Sequence, residues 1–206
     1  MLLPGVALVF VYSYIPMAGI VIAFQKFVPV KGVAGSDWIG LGNFDYVLNM
    51  PNIDQVLWNT VYIAGMKIVA GLVVPIGIAI LLNEVRNVLI KRGVQTLIYL
   101  PHFLSWIILG GILIDILSPS QGIVNRLLAA LGMESVFFLG SNDWFPYVLV
   151  ASDVWKEFGF STIVYLAAIT SINPTLYEAA IMDGAGHVRQ ARHVTLPGML
   201  PVIVLL

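Results

Sequence analysis

Three ionisable residues, Asp153, Lys156 and Glu157, interrupt an otherwise apolar run between Phe145 and Ile172. Placing such a residue at mid-membrane costs about 2.5–3.5 kcal/mol on insertion scales, so each needs a partner or access to water. Asp153 and Lys156 are three residues apart and can pair on one helical face, which would neutralise both inside a bundle or beside a wet cavity. In one reading these groups give a polar lining to a translocation path. In the other the helix enters the membrane late and Lys156 snorkels outward along its own methylenes. Lys67 and Asp115 read as interfacial or bundle-paired residues rather than ligands. Phe103, Trp106, Trp155, Phe158 and Tyr165 offer flat faces to a ligand, although helix packing and interfacial belts account for such residues first.

Catalysis has no carrier in this sequence. His187 and His193 are six residues apart, neither i+3 nor i+4, no glutamate accompanies them at zinc-protease spacing, and His102 is remote from both. These histidines read as cap, interface or solvent residues. No Gly-x-Ser-x-Gly elbow, Walker-A sequence or dinucleotide-binding glycine run is present, so neither nucleophilic catalysis nor nucleotide binding is expected here.

The elements that position these residues follow from composition. Hydrophobic residues make up 59% of the 206 and charged residues 10%, with a mean hydropathy of +0.94, which puts the chain in the multi-spanning membrane class. A net charge of -1 provides no basic field for nucleic acid, and the absence of cysteine excludes disulfides and thiolate metal sites. Apolar runs at Leu2–Phe24, Val56–Leu82, Val94–Leu117 and Phe145–Ile172 are each long enough for about 20 helical residues across the bilayer. A fifth begins near Pro197 and stops too soon to span, so the expected fold is an all-α bundle of about five spans, the last incomplete. The chain is expected to be a fragment cut at both ends.

Loop charges set the orientation. Arg86, Lys91 and Arg92 mark the second connection as cytoplasmic. The fourth, at 173–196, carries Arg189 and Arg192, whereas the first holds more acidic than basic residues and the third only Arg126. A cytoplasmic N-terminus satisfies this alternation and puts 173–196 on the same side.

That connection has its own start and stop signals. Thr175-Leu176-Tyr177-Glu178 fits a capping box, with Pro174 blocking entry of the preceding helix, so a new helix is predicted to start there. It should run to about Asp183, with Gly184 as its stop and Gly184-Ala185-Gly186 as a turn into a second short basic helix. Small side chains at Ala179, Ala180 and Ala185 permit close approach of another protein's backbone. A capped helix lying at the membrane interface would satisfy the same local signals.

The combination Tyr177-Glu178-Ala179-Ala180, then Asp183-Gly184-Ala185, then Leu196-Pro197, placed after an apolar span, resembles the EAA loop of ATP-binding-cassette (ABC) importer permeases. Further runs extend the resemblance over nearly the whole chain: Ile39-Gly40-Leu41-Gly42-Asn43-Phe44, Trp58-Asn59-Thr60, Leu81-Leu82-Asn83-Glu84 and Tyr99-Leu100-Pro101-His102-Phe103-Leu104-Ser105-Trp106 are similar to segments of carbohydrate-type permeases, particularly those for oligo- or polysaccharides. Val188 and Ala191 depart from that pattern, since relatives often carry aromatic residues there. The resemblance implies a single permease domain over 1–206 in the bacterial cytoplasmic membrane, with 173–196 as the coupling loop that sits in a groove of the ATPase subunit. It also implies a second permease subunit, two ABC ATPases that bind the ATP, an external solute-binding protein and a carbohydrate substrate; no cofactor is expected on this chain. Asp153, Lys156 and Trp106 become candidates for the translocation path. An ion-coupled secondary transporter using Asp153, Lys156 and Glu157 as a relay is the competing reading, and a noncatalytic membrane scaffold a third.

Overall fold

A computed structural model describes residues 2–206, and it divides into two compact units, Met1–Val61 and Tyr62–Leu206. In the first, α1 (Leu3–Val9), a π turn (Phe10–Tyr14), α2 (Ile15–Met17) and a 3-10 turn (Ala18–Phe24) run on as one 22-residue apolar helix. The π turn has a local cause. Pro16 offers no amide hydrogen, and its ring crowds the carbonyl four residues back, at Tyr12, so the helix widens there. A two-residue antiparallel ladder follows, β1 (Gln25–Lys26) with β2 (Asp37–Trp38), in the register Gln25 to Trp38. Asn43, at the start of α3 (Gly42–Leu48), donates to the carbonyls of Ala23 and Gln25, each at 2.9 Å, and Phe24 stacks on Trp38. The Ile39–Phe44 run is therefore a latch that fastens α3 to the end of the first apolar helix.

The second unit is built around two long helices, α8 (Phe145–Thr170) and, from Tyr62 on, α4 (Ile53–Glu84). At 1.5 Å per residue both exceed the roughly 30 Å of hydrocarbon. Among the described residues two helices, Leu3–Phe24 and α4, are long and apolar enough to cross a membrane, and α8 is long enough but holds the three charges. The third expected span is not straight. Between α4 and α8 run α5 (Val88–Tyr99), a 3-10 turn (Leu100–Phe103), α6 (Trp106–Leu117) and α7 (Ile123–Ala130), and the chain bends by 104° between the 3-10 turn and α6. Pro101 ends the regular ladder, Leu104 is extended, and the Ser105 hydroxyl accepts the Ile108 amide to start α6 afresh. Continuous hydropathy over Val94–Leu117 thus concealed a break.

Residues buried on α8 form one stripe: Ser152, Lys156, Gly159, Thr162, Tyr165 and Ile169 recur at three- and four-residue steps. Two contacts along it join α8 to its neighbours. A Cβ at Gly159 would lie 2.1 Å from the Ile98 carbonyl oxygen, so only glycine lets α8 meet the α5 backbone there. Lower down, Tyr165, Ala168 and Ile169 close over Ala79 of α4 and Met199 of α11 (Leu196–Leu205) to form the apolar core. Most other large apolar side chains are exposed, including Leu3, Ile107 and Val204. A water-facing protein avoids this distribution, whereas lipid and neighbouring spans accommodate it.

Candidate functional site

The 173–196 connection folds as a helix, a glycine turn and a second helix: α9 (Pro174–Met182), then α10 (His187–Gln190), which runs through a π turn (Ala191–Thr195) into α11. Its start differs from the expected capping box. Asn173 is the N-cap, its side-chain oxygen accepting from the Thr175 amide at 3.0 Å, and Pro174 occupies the first helical position. The reason lies in the Asn-Pro pair: a residue before proline is held out of the helical region, and proline is pre-shaped for the first turn. Glu178 therefore sits beyond the first turn and points outward, free of any capping duty.

The stop is as expected. Gly184 adopts φ +74°, the Ala185 amide donates to the Ala180 carbonyl and the Gly184 amide to that of Ile181, each at 2.9 Å, with Asp183 as the last helical cap. This double closure is the Schellman motif, which needs a left-handed residue. No atom lies within 4 Å of a Cβ built on Gly184, so backbone conformation alone selects glycine.

Further bonds hold the two halves together. Gln190 donates to the Ala185 carbonyl at 2.7 Å, and the Tyr177 hydroxyl meets the Thr195 hydroxyl at 3.0 Å. Thr195 is buried immediately before α11, and the π turn it ends lies just ahead of Pro197, whose ring crowds the His193 carbonyl as Pro16 crowds that of Tyr12. Leu196 and Pro197 thus form the joint through which the loop enters the next apolar helix. Met182 and Val188 are left 87% and 84% exposed, with Ile181 beside them, while Ala180 and Ala185 are half-buried and Ala179 is exposed. Small residues under protruding apolar ones suit a knob that another protein grips. Thr195 and Gln190 escaped the sequence reading because their partners are fixed only once the turn closes.

Two of the three charged residues of α8, Lys156 and Glu157, gather at the helix break. Lys156, 7% exposed, donates to the His102 carbonyl at 2.9 Å, a carbonyl the 3-10 turn leaves available, and its ammonium lies 3.4 Å from Glu157 and 5.8 Å from the centre of the Trp106 ring. Glu157 also meets His102 Nδ1 at 2.9 Å, and the His102 ring stacks on Phe160. The expected Asp153–Lys156 pair does not form, and Lys156 does not snorkel. Instead Asp153 pairs with Lys67 of α4 at 2.9 Å. Positions three apart on a helix differ by about 60° in direction, enough for Asp153 to face α4 while Lys156 faces the break.

Phe103 is exposed, and Tyr165 is 2% exposed within the core, out of reach of a ligand. Trp155 and Phe158 line an apolar groove with Met66, Ala70 and Val74. This groove presents few hydrogen-bonding groups, unlike the helix break. Of the three path candidates, Lys156 and Trp106 meet at the break, and Asp153 stands apart beside α4.

Apolar helices long enough to span a bilayer, with a charged helix break and a two-helix polar knob, are the architecture of a membrane component. Residues 68–206 match the family described as "Binding-protein-dependent transport system inner membrane component", and the chain belongs to that family. Among its relatives, the polygalacturonan/rhamnogalacturonan transport system permease protein YteP of Bacillus subtilis (strain 168) is 45% identical over 206 residues, covering 100% of this chain and 64% of that protein. Protein LplB of the same organism is 39% identical, covering 100% and 65%. The crystal structure of a bacterial ABC transporter involved in import of the acidic polysaccharide alginate contains a chain that superposes with a TM-score of 0.88 at 38% identity, covering all of this chain and 68% of that one. This chain thus spans just under two thirds of the length of the curated relatives it matches.

Proposed function

We propose that this chain is the membrane-spanning part of a permease subunit in an ATP-driven importer of carbohydrate, an oligo- or polysaccharide fragment rather than a simple sugar. The observation that carries the reading is the 173–196 knob, with its Schellman turn at Gly184 and its outward Ile181, Met182 and Val188. Such a surface is suited to sit in a groove of an ABC ATPase on the cytoplasmic side. Partner ATPases bind and hydrolyse ATP; this chain performs no chemistry. Nucleotide-driven closure of two ATPases moves the knobs of two permease subunits, identical or different, and the bundle turns outward to receive its solute from an external binding protein. Support for the binding protein comes from the alginate transporter, also solved in complex with an alginate pentasaccharide-bound periplasmic protein.

At the break, Trp106 offers a ring face, and Glu157 and His102 offer polar edges to sugar hydroxyls, with Lys156 holding the site open by bonding the His102 carbonyl. Asp153, paired with Lys67 of α4, stands apart from this polar cluster. Uptake into proteoliposomes holding the complete complex, with its binding protein outside and ATP inside, tests this reading. ATP-dependent accumulation of labelled oligogalacturonides, and none of free monosaccharide, is the expected result. Uptake that follows a proton or sodium gradient without ATP would overturn it.

A further inference from the structure

The knob is tied to the bundle at a place its own fold does not require. His187, the first residue of α10, meets the carboxylate of Glu84, the last residue of α4, at 2.9 Å. Its Nδ1 hydrogen can donate to that carboxylate whether the imidazole is neutral or doubly protonated. Both side chains are well exposed, and exposed ion pairs add little to stability. What this pair does hold is direction. Directly inside it, Ala79 of α4, Ile169 of α8 and Met199 of α11 share one apolar core, and Gly198 admits Ile172 so closely that a Cβ there would lie 2.6 Å from its Cδ1. The knob is thus seated on three helices through α11 and braced at its far edge through α10.

We propose that Glu84 is a positioning residue for the docking knob: through His187 it fixes α10 to the end of α4, so that the knob and α4 move as one body. This rests on the reading of the knob as the ATPase-docking element. A freely hinged knob would absorb ATPase motion in its own turn at Gly184–Gly186, whereas a braced one passes it to the helix that carries Lys67 and faces Asp153.

The chain has no cysteine, which permits clean labelling. Spin labels at Leu81→Cys and Val188→Cys, both exposed positions, report the distance between the last turn of α4 and α10 in the assembled permease–ATPase complex. The expected result is a single narrow distance that is the same without nucleotide and with ATP trapped by vanadate. Glu84→Ala and His187→Ala should each broaden it and make it nucleotide-dependent, lower transport per ATP hydrolysed, and leave the melting temperature unmoved; His187→Arg should restore the narrow distance. A nucleotide-dependent distance in the otherwise unaltered protein, or unchanged distance and coupling in Glu84→Ala, would overturn the proposal. Crosslinking of Met182→Cys to the ATPase, measured in the same variants, separates the two readings: its absence from the otherwise unaltered complex defeats docking itself, and its persistence with unchanged coupling in Glu84→Ala defeats only the brace.

Discussion

The 173–196 knob and the helix break are both polar interruptions in apolar sequence, yet they are assembled in opposite ways. The knob is local: Asn173 caps the second residue after it, Gly184 closes a turn with the two preceding turns of α9, and Gln190 reaches Ala185. The break depends on distant partners, with Lys156 bonded to the carbonyl of His102 and Gly159 pressed on Ile98. Local hydrogen bonds let a knob keep its shape while the helices around it move. A site held by long-range contacts changes as soon as α8 shifts against α5, which suits a path that must open and close.

That difference can be tested from its strongest contact downward. Gly159→Leu puts side-chain atoms into the Ile98 backbone, and since overpacking costs about 1–3 kcal/mol even where neighbours are flexible, a backbone clash should cost more. The expected outcome is a sharp fall in the yield of folded complex by detergent size exclusion; Gly184→Leu should leave that yield intact while transport fails. If both variants fold equally well, the contrast between the two regions is false.

Lys156→Met comes next. It strips the buried His102 carbonyl of its donor, and an unsatisfied buried group costs about 1–3 kcal/mol. Thermal unfolding of the purified complex should show that loss. A double-mutant cycle sharpens it: Asp153→Asn should couple with Lys67→Met and be additive with Lys156→Met. Strong coupling between Asp153 and Lys156 would restore the pairing that sequence spacing suggests.

The smallest effect lies in the knob. Asn173→Ala should cost about 1 kcal/mol as a lost N-cap, and Thr175→Ala close to nothing. Hydrogen exchange of the Thr175 and Leu176 amides would show it, and the reverse ranking would reinstate the capping box.

These contrasts also explain what was legible in the sequence. Glycine at a left-handed stop and the order of apolar runs act over a few residues, and they marked the end of α9, the turn and two of the spans. The N-cap was misplaced by two residues, because Ser/Thr-x-x-Glu spacing matched while the Asn-Pro pair before it decided the geometry. At the break, hydropathy could not show that Pro101 and Ser105 end one helix and start another, since averaged over a window Val94–Leu117 reads as one apolar run. Spacing along α8 likewise told which charges share a helix and not that Lys67 and His102, on other helices, are their partners.

Cysteine crosslinking of the native complex tests the central claim, that 173–196 is the ATPase-docking element. With Met182→Cys on the exposed end of α9 and Asn43→Cys on the latch of the first unit, a short bifunctional reagent should join the permease to the ATPase from position 182 and not from position 43. Failure of position 182 to crosslink, or equal labelling of both positions by a membrane-impermeant thiol reagent from the external side, would contradict it.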